Sequence, residues 1–434
     1  MKHPIIMNTP NNNILPQGYK MTELGAIPEE WEVVRLGEVA NVVMGQSPPG
    51  SSYNEKGKGL PFLQGKAEFG SMHPKHIKYT TVPMKIAPKN SVLLSVRAPV
   101  GDVNIADIEY CIGRGLSSIS LKNGNDIFLF YMLDHLKGEF EKEGTGSIFK
   151  AITKAKLMNL PLPIPPLPEQ QKIAAVLSAV QEAKEKTETV INATKELKKS
   201  MMKRLFTYGP VSLQEAENIP LKETEIGLVP EDWEIVRVGD VFEFSRKPNK
   251  LKIDDNDLIP FIPMEMISET NQSIKSWKEK KISEISSGSF VFKNDIIIAK
   301  ITPSFENGKQ AILDNIPTNF GYATTEIWAL HPKNNKIITQ HLYNFIKIDS
   351  IRINLASKME GSTGRKRLPK HILENLSIPL PPLHVQQKIA SILSTIDEKI
   401  QAEEAKKKAL EDLFRSLLNN LMSGKIRVNH LNIA

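Results

Sequence analysis

The sequence contains one cysteine and no long hydrophobic run. A single cysteine, Cys111, excludes an internal disulfide bond and a zinc site built from cysteines, and we expect it to be a small buried residue in a strand. Apolar runs such as "DIIIAKI" fall short of the ~20 residues that a membrane-spanning helix needs. The N-terminal "MKHPIIMNTPNNN" lacks the apolar core of a signal peptide. We therefore expect a cytoplasmic protein with no membrane contact.

The motifs of common catalytic sites are also missing. The glycine-rich "GKGLPFLQGKA" has the wrong spacing for a P-loop, and no dinucleotide fingerprint, HExxH motif or nucleophile elbow occurs. The Asn/Asp-Pro-Pro-aromatic motif of DNA amino-methyltransferases is absent as well. Asp295 and Lys300 flank an apolar strand without a second carboxylate nearby, and His73 and His76 lack a third metal ligand. The chain is predicted to be non-catalytic, with no cofactor or metal of its own.

The overall charge is moderately basic. A formal net charge of +7 and a pI of about 9.1 permit a nucleic-acid partner without requiring one. Residues 22–165 and 221–381 each carry nearly equal numbers of basic and acidic residues, so a DNA-binding face would need segregated charge. Three basic clusters stand out in the second segment: Arg246, Lys247, Lys250 and Lys252; Lys275, Lys278, Lys280 and Lys281; Arg365, Lys366, Arg367 and Lys370. Such clusters are most often solvated surface.

The chain repeats itself. Residues 19–39 return at 221–241 with 12 of 21 positions identical, and residues 157–180 return at 373–396 with 14 of 24 identical. Nothing between these blocks matches as well. The chain therefore passes twice through the same order: an entrance segment (residues 19–39 and 221–241), a variable domain, and a helix start (residues 157–180 and 373–396). This order predicts a pseudo-twofold repeat within one chain.

Each repeated helix start opens a long helix. Proline runs precede both starts, and Gly209 and Gly424 stand where the apolar pattern ends. About 38 residues would make a rod of ~55 Å. The predicted seam of the first helix is Ile173, Val176, Val180, Ala183, Thr187, Val190, Thr194, Leu197 and Met201. That of the second is Ile389, Leu393, Ile396, Ile400, Glu403, Lys407, Leu410, Phe414, Leu417 and Leu421. We expect the two helices to pack as an antiparallel coiled coil.

The variable domains, residues about 40–160 and 242–372, mix short β-rich runs with turns. "SVLLSVRAPVGDVNIAD" and "SFVFKNDIIIAKITPSFENGKQAIL" predict strand–turn–strand units, and residues 124–144 and 338–358 predict amphipathic helices. The expected fold class is thus α+β, with two globular α/β domains and two long helices.

Some loops in these domains carry side chains that suit base edges. Arginine donates two hydrogen bonds to guanine, and an amide both donates to and accepts from adenine, whereas lysine contacts to phosphate position the protein without reading sequence. The candidate DNA-binding residues are Gln46, Ser47, Gln64, Lys66, Arg97, Arg114, Arg246, Lys247, Lys250, Lys300, Asn307 and Lys309. For any one of them, a plain loop or salt-bridge role remains open.

The duplicated blocks resemble a known family. Paired "TEIGLVPEDWEIVRVGDV"-type entrances and paired "IPLPPLHVQQKIASIL"-type helix starts, with two unlike domains between them, resemble the specificity subunit of type I restriction-modification systems. "MGQSPPGSSYN", "SVRAPVGDVNIAD" and "CIGRGLSSI" resemble one type of target-recognition domain. "AKITPSFENGKQAIL" and "GYATTEIWAL" resemble another.

This resemblance implies a non-catalytic subunit whose two target-recognition domains each read half of a bipartite site in double-stranded DNA. It implies that the helices set the half-site spacing and that two methyltransferase subunits dock on the chain, with restriction subunits added. S-adenosylmethionine would belong to the methyltransferase, and ATP and magnesium to the restriction subunit. The implied domains are a tail 1–21, recognition domain 22–165, helix 166–208, linker 209–220, recognition domain 221–381, helix 382–424 and tail 425–434.

Two other classes stay open on the residues alone. A protein-only scaffold would show no salt-sensitive DNA binding. An enzyme, such as a fused methyltransferase-endonuclease, would methylate DNA by itself, and the missing motifs argue against it.

Overall fold

The computed structural model describes residues 15–142, 151–249, 251 and 254–431. By its internal contacts the chain forms two compact units, one of residues 1–187 with 406–434 and the other of residues 188–405. The division cuts through both long helices and does not follow the domain boundaries assigned on the sequence, which remain a prediction.

The first globular domain contains thirteen strands and four short helices among the described residues. The strands are β1 Tyr19–Thr22, β2 Gly25–Pro28, β3 Glu32–Arg35, β4 Ala40–Met44, β5 Tyr53–Asn54, β6 Leu60–Leu63, β7 Tyr79–Thr80, β8 Ile86–Ala87, β9 Val92–Ser95, β10 Val103–Ile105, β11 Tyr110–Ile112, β12 Leu116–Leu121 and β13 Pro161–Ile164. The helices are α1 Leu36–Val39, α2 Asp126–His135, α3 Lys137–Lys142 and α4 Lys154–Met158. Two 3-10 turns cover Gly50–Ser52 and Lys66–Glu68.

Two large sheets and two two-stranded sheets form this domain. An antiparallel sheet has the order β10-β9-β12-β4, and a mixed sheet has the order β5-β7-β6-β11-β8, in which β6 and β11 are parallel. The repeated entrance forms the β1–β2 hairpin and strand β3, and β3 pairs with β13 at the start of the long helix. Cys111 is buried in β11, as expected.

Helix α5, Leu167–Tyr208, follows. The second domain then contains α6 Leu213–Ala216, β14 Leu221–Thr224, β15 Gly227–Pro230, β16 Glu234–Arg237, α7 Val238–Val241, β17 Phe242–Phe244, β18 Leu258–Ile262, β19 Lys278–Lys281, β20 Ser289–Phe292, β21 Ile296–Ala299, β22 Gln310–Ile312, β23 Phe320–Ala323, β24 Ile327–Pro332, α8 Thr339–Ile346, α9 Asp349–Ser357, α10 Lys370–Glu374 and β25 Ser377–Leu380. Two 3-10 turns cover Met264–Met266 and Ile282–Glu284. Helix α11, Leu383–Met422, closes the fold.

The second domain has the topology of the first, although the sequences of the two variable domains show no close similarity. Its sheets have the orders β22-β21-β24-β17 and β19-β18-β23-β20, with β18 and β23 parallel. Strand by strand, β4 corresponds to β17, β6 to β18, β9 to β21, β10 to β22, β11 to β23 and β12 to β24. A cis proline peptide occurs after β9 at Ala98-Pro99 and after β21 at Thr302-Pro303. The duplication therefore extends through the variable domains.

The long helices run antiparallel within each unit. In the first unit, the Nζ of Lys184 lies 4.6 Å from the centroid of the Phe414 ring. In the second unit, Lys195 pairs with Glu404 at 2.7 Å and Lys198 with Asp397 at 2.5 Å. A residue further along α5 therefore contacts a residue earlier in α11, as antiparallel helices require. The expected fold class, α+β domains with two antiparallel helices, is confirmed.

The predicted seam of α11 is correct, but that of α5 is partly wrong. Val190 and Leu197 are 40% and 52% exposed, whereas Ile191 is buried and the side chain of Lys198 is only 15% exposed. Ile173 and Thr187 are buried as predicted, but from Ile191 onward the buried stripe lies one residue later, and one of its positions is Lys198, which pairs with buried Asp397. An apolar pattern cannot find a seam position occupied by lysine.

Two predicted helices also differ. Helix α2 is not amphipathic, since six consecutive residues, Phe128 to Leu133, are buried between the antiparallel sheet and the long helices of its unit. The stretch 338–358 forms two helices, α8 and α9, instead of one. Within the part of the chain that the structure describes, no helix is long and apolar enough to cross a bilayer.

Candidate nucleic-acid interface

Four loops meet at one end of the first domain. They follow β4, β6 and β9 and connect β11 to β12. Backbone hydrogen bonds join them: Gly113 N donates to Leu63 O at 2.7 Å, Val96 N to Gly115 O at 2.9 Å, and Gly45 N to Leu116 O at 2.9 Å. We call residues 45–47, 63–66, 96–101 and 113–116 the first four-loop surface.

Glycine is required where these loops touch. A Cβ atom on Gly45 would lie 2.1 Å from the Gly113 carbonyl oxygen, and one on Gly115 would lie 2.7 Å from the Gln64 carbonyl oxygen. These distances are well inside van der Waals contact. The glycines in "MGQ" and "CIGRG" therefore allow the loops to approach closely enough to form one continuous surface.

The second domain builds the same arrangement from different residues. Thr324 N donates to Ile262 O at 2.9 Å, Lys300 N to Glu326 O at 2.9 Å, and Ser245 N to Ala329 O at 3.0 Å. The first two bonds correspond to bonds in the first domain by strand and by position. The third joins the equivalent strands, with Ser245 at the position of Val43 and Ala329 at that of Ser118. Residues 245–247, 262–265, 300–309 and 324–327 form the second four-loop surface.

All six candidate residues of the first domain lie on the first four-loop surface. Gln46, Gln64, Arg97 and Arg114 are exposed. Within the described residues, no hydrogen bond or ion pair engages the guanidinium group of Arg97 or Arg114. The remaining two have partners: Ser47 Oγ accepts a 3.4 Å bond from Arg114 N, and Lys66 pairs with Asp102 at 2.5 Å.

The second domain places its candidates in the equivalent loops. Arg246 and Lys247 are exposed after β17, and Asn307 is exposed in the turn after the cis proline. Lys309 donates to the Met264 carbonyl oxygen at 3.1 Å. The Nζ of Lys300 lies 4.0 Å from the centroid of the Trp328 ring. Lys250, the twelfth candidate, lies outside the described residues.

Comparison with known proteins identifies the family of the chain. The model of the family "Type I restriction modification DNA specificity domain" matches residues 28–196 and 230–412. The chain belongs to this family. Its relatives are named specificity subunits, and the chain is accordingly a non-catalytic type I specificity subunit with two DNA-recognition domains.

Similarity to individual proteins extends over part or nearly all of the chain. The putative type I restriction enzyme MjaX specificity subunit of Methanocaldococcus jannaschii is 46% identical over 195 residues, about half the length of either protein (44% and 46%). The MjaVIII specificity subunit of the same organism is 28% identical over 94% of this chain and 95% of that protein. The S subunit structure from M. genitalium superposes with a TM-score of 0.56 at 19% identity, covering 90% of this chain and 96% of that one, and so supports the fold.

The structure adds residues that the candidate set of this specificity subunit omitted. Thr325 occupies the position of Arg114, between the residues that bond to Ile262 and Lys300. The cluster at 365–367 lies beside the second surface, since Thr302 N donates to Lys366 O at 3.0 Å and Leu368 N to Lys300 O at 2.7 Å. Its charge was visible in the sequence, but its position was not.

Positive charge therefore gathers at one side of the second surface. Lys300, Trp328, Glu360 and Arg367 line a concave site of about 470 Å³. Burial, and then the neighbouring charge of Arg367, lowers the pKa of Lys300. A cation held against an indole ring beside an arginine is suited to a phosphate or a base edge.

Asp295 is structural rather than part of a nuclease centre. It is fully buried and accepts hydrogen bonds from Ser245 Oγ at 2.6 Å and His331 Nδ1 at 2.7 Å. Burial raises the pKa of Asp295, and the hydrogen bond to it raises the pKa of His331. The carboxylate thus anchors the loop that carries Arg246. No group of three or more potential metal ligands occurs among the described residues.

Proposed function

We propose that each four-loop surface reads one half of a bipartite DNA sequence. The observation that carries this proposal is one backbone frame with two sets of side chains. Two equivalent hydrogen bonds, and a third between the equivalent strands, hold each frame, whereas the positions of Gln64 and Arg114 in the first carry Pro263 and Thr325 in the second. Backbone bonds make the frame independent of the side chains, so the two domains can read different sequences.

The first surface presents amides at Gln46 and Gln64 and guanidinium groups at Arg97 and Arg114, the groups that pair bidentately with adenine and guanine. The second presents Arg246, with Lys247, Lys300 and Asn307 as its other donors. We infer that arginine and amide side chains read bases and that lysines mainly contact phosphates.

The repeated entrances and helices suit two identical partners. Gly424, at the end of α11, packs against Pro28 of the first entrance, and Gly209, at the end of α5, packs against Trp233 of the second. In both cases, the end of a long helix packs against an entrance segment, and we call these two contacts the first joint (Gly424 with Pro28) and the second joint (Gly209 with Trp233). We infer that each supports one methyltransferase subunit, that restriction subunits add to this complex, and that S-adenosylmethionine, ATP and magnesium belong to those partners.

Helices α5 and α11 would set the spacing between the half-sites. They contain 42 and 40 residues, and a straight helix of that length rises ~60 Å, against ~34 Å for one turn of a DNA duplex.

The test is to reconstitute the chain with its methyltransferase subunits and to map methylated adenines by sequencing. The expected result is a split motif with a fixed, non-specific gap. Methylation at one short continuous motif would mean that only one surface reads DNA. Methylation by the isolated chain would instead favour the enzyme, and salt-independent failure to bind any DNA would favour the protein-only scaffold.

A further inference from the structure

A lysine just beyond the equivalent helix of each domain holds the cis-proline turn of that domain. We call residues 97–102 and 301–309 the cis-proline turns. Each carries a glycine with positive φ, Gly101 at 90° and Gly308 at 78°. A Cβ atom on Gly101 would lie 3.2 Å from Lys137 Cγ, and one on Gly308 would lie 3.4 Å from Lys347 Nζ. Lys137 and Lys347 thus lie against the same point of equivalent turns.

In the first domain the contact is ionic. Asp102 follows Gly101, and its carboxylate accepts from Lys137 Nζ at 2.6 Å and from Lys66 Nζ at 2.5 Å. Burial alone would raise the pKa of Asp102, but the hydrogen bonds from Lys137 and Lys66 hold it below its ordinary value. Lys66 belongs to the loop after β6, so Asp102 joins the turn, that loop and the end of the helix.

In the second domain the same three elements are joined without a carboxylate on the turn. Lys309 follows Gly308 and donates to the carbonyl oxygen of Met264, in the loop after β18, at 3.1 Å. Lys347 Nζ donates at 2.6 Å to the carbonyl oxygens of Gly308 and Glu269. The two domains therefore keep the connection while they change its chemistry from ion pair to backbone carbonyl.

This arrangement separates positioning from reading. The turns carry Arg97 in one domain and Asn307 in the other, and their exposed side chains depend on where the backbone stands. Burial, and then the charges of Lys198 and Arg352, lowers the pKa of Lys347 to about 7. An amine that is only partly charged near neutral pH is a poor phosphate contact, yet it still donates hydrogen bonds to carbonyl oxygens.

We propose that Lys137 and Lys347 are positioning residues for sequence recognition, each fixing its cis-proline turn against the neighbouring loop. Lys66 and Lys309 act in the same contacts rather than on DNA. This inference rests on the proposed function, since it specifies how each surface is held in its reading shape.

The experiment uses the reconstituted methyltransferase complex and a library of target sites with single substitutions in either half-site. Lys137→Met is expected to lower discrimination by about tenfold at one or two base pairs of one half-site, and Lys347→Met to do so in the other half-site only. Lys137→Arg should retain discrimination, because a guanidinium group can still pair with Asp102.

Lys122→Met and Lys333→Met are matched controls. These lysines follow the equivalent strands β12 and β24, and each donates to a backbone carbonyl far from the turns, on Glu38 and Gly239. Both controls should keep full discrimination. Should Lys347→Met fail to fold, Lys309→Met tests the same connection.

Unchanged discrimination, or an equal loss in both half-sites, overturns the positioning role while the wild-type motif remains bipartite. A wild-type complex that methylates without a bipartite motif would instead refute the proposed function, and this inference with it.

Discussion

A buried ion pair closes the C-terminal segment onto the first repeat. Glu169 is 3% exposed; it accepts from Arg427 Nε at 2.6 Å and Nη2 at 2.8 Å, and from Trp31 Nε1 at 3.0 Å. In the second repeat Val385 stands at the position of Glu169, and the chain itself connects α5 to β14. In the first repeat the ion pair thus does what the chain itself does in the second, which is to hold a helix end against an entrance segment. Arg427→Ala should therefore weaken the contact between the α11 end and the first entrance, and leave the contact between the α5 end and the second entrance unchanged.

The free-energy cost of Arg427→Ala follows from the Glu169 carboxylate, which remains buried without its partner. Removing one member of a buried pair costs about 3–5 kcal/mol, because the other charge is left without compensation. The Arg427 side chain is 22% exposed, so water can enter, and Trp31 still donates. We therefore expect ~3 kcal/mol, or roughly 150-fold more frequent opening. Adding Glu169→Val, which copies the second repeat, removes the stranded charge but leaves buried Trp31 Nε1 without its acceptor, so the net recovery should be ~1 kcal/mol.

Native-state hydrogen exchange measures this locally. Exchange should rise in the β1–β2 hairpin and in residues 425–431, while the β14–β15 hairpin serves as the internal control. The reasoning is refuted if the double variant opens as readily as Arg427→Ala, or if both hairpins change equally.

Three further predictions concern the recognition domains. Arg114→Ala should lose ~1–3 kcal/mol on the cognate site and relax preference at one base pair, whereas a uniform loss in competition binding would mean a phosphate contact. Gly45→Ala should abolish recognition of one half-site, because its Cβ would lie 2.1 Å from a carbonyl oxygen. A complex with Gly65→Ala, where space around the Cβ is open, should methylate DNA normally. Equal effects of the two substitutions would contradict the four-loop frame. Since hydrogen bonding to Asp295 raises the pKa of His331, its stabilisation is complete below pH ~6.5 and declines as pH rises through the folded pKa. Urea unfolding at several pH values should show this decline in the wild type and not in His331→Gln.

Much of the architecture follows from local sequence signals. Duplicated blocks predict the repeat, prolines predict where α5 and α11 begin, and Gly209 and Gly424, both at positive φ, predict where they end. The hairpins after β9 and β21 were also predicted, since turn residues interrupt apolar runs there. These features depend on neighbours in the chain, and for that reason a single sequence reveals them.

Tertiary structure decided the rest. The common topology of the variable domains, the gathering of their loops and the equivalence of Thr325 with Arg114 rest on backbone hydrogen bonds between distant segments, which leave little trace in side-chain identity. The interior position of Lys198 and the contacts of Lys137 and Lys347 depend on partners far along the chain. Sequence alone determined that the protein is built twice; only the folded chain determined which residues share a surface, because a backbone carbonyl or a buried aspartate becomes a partner only once the fold brings it near.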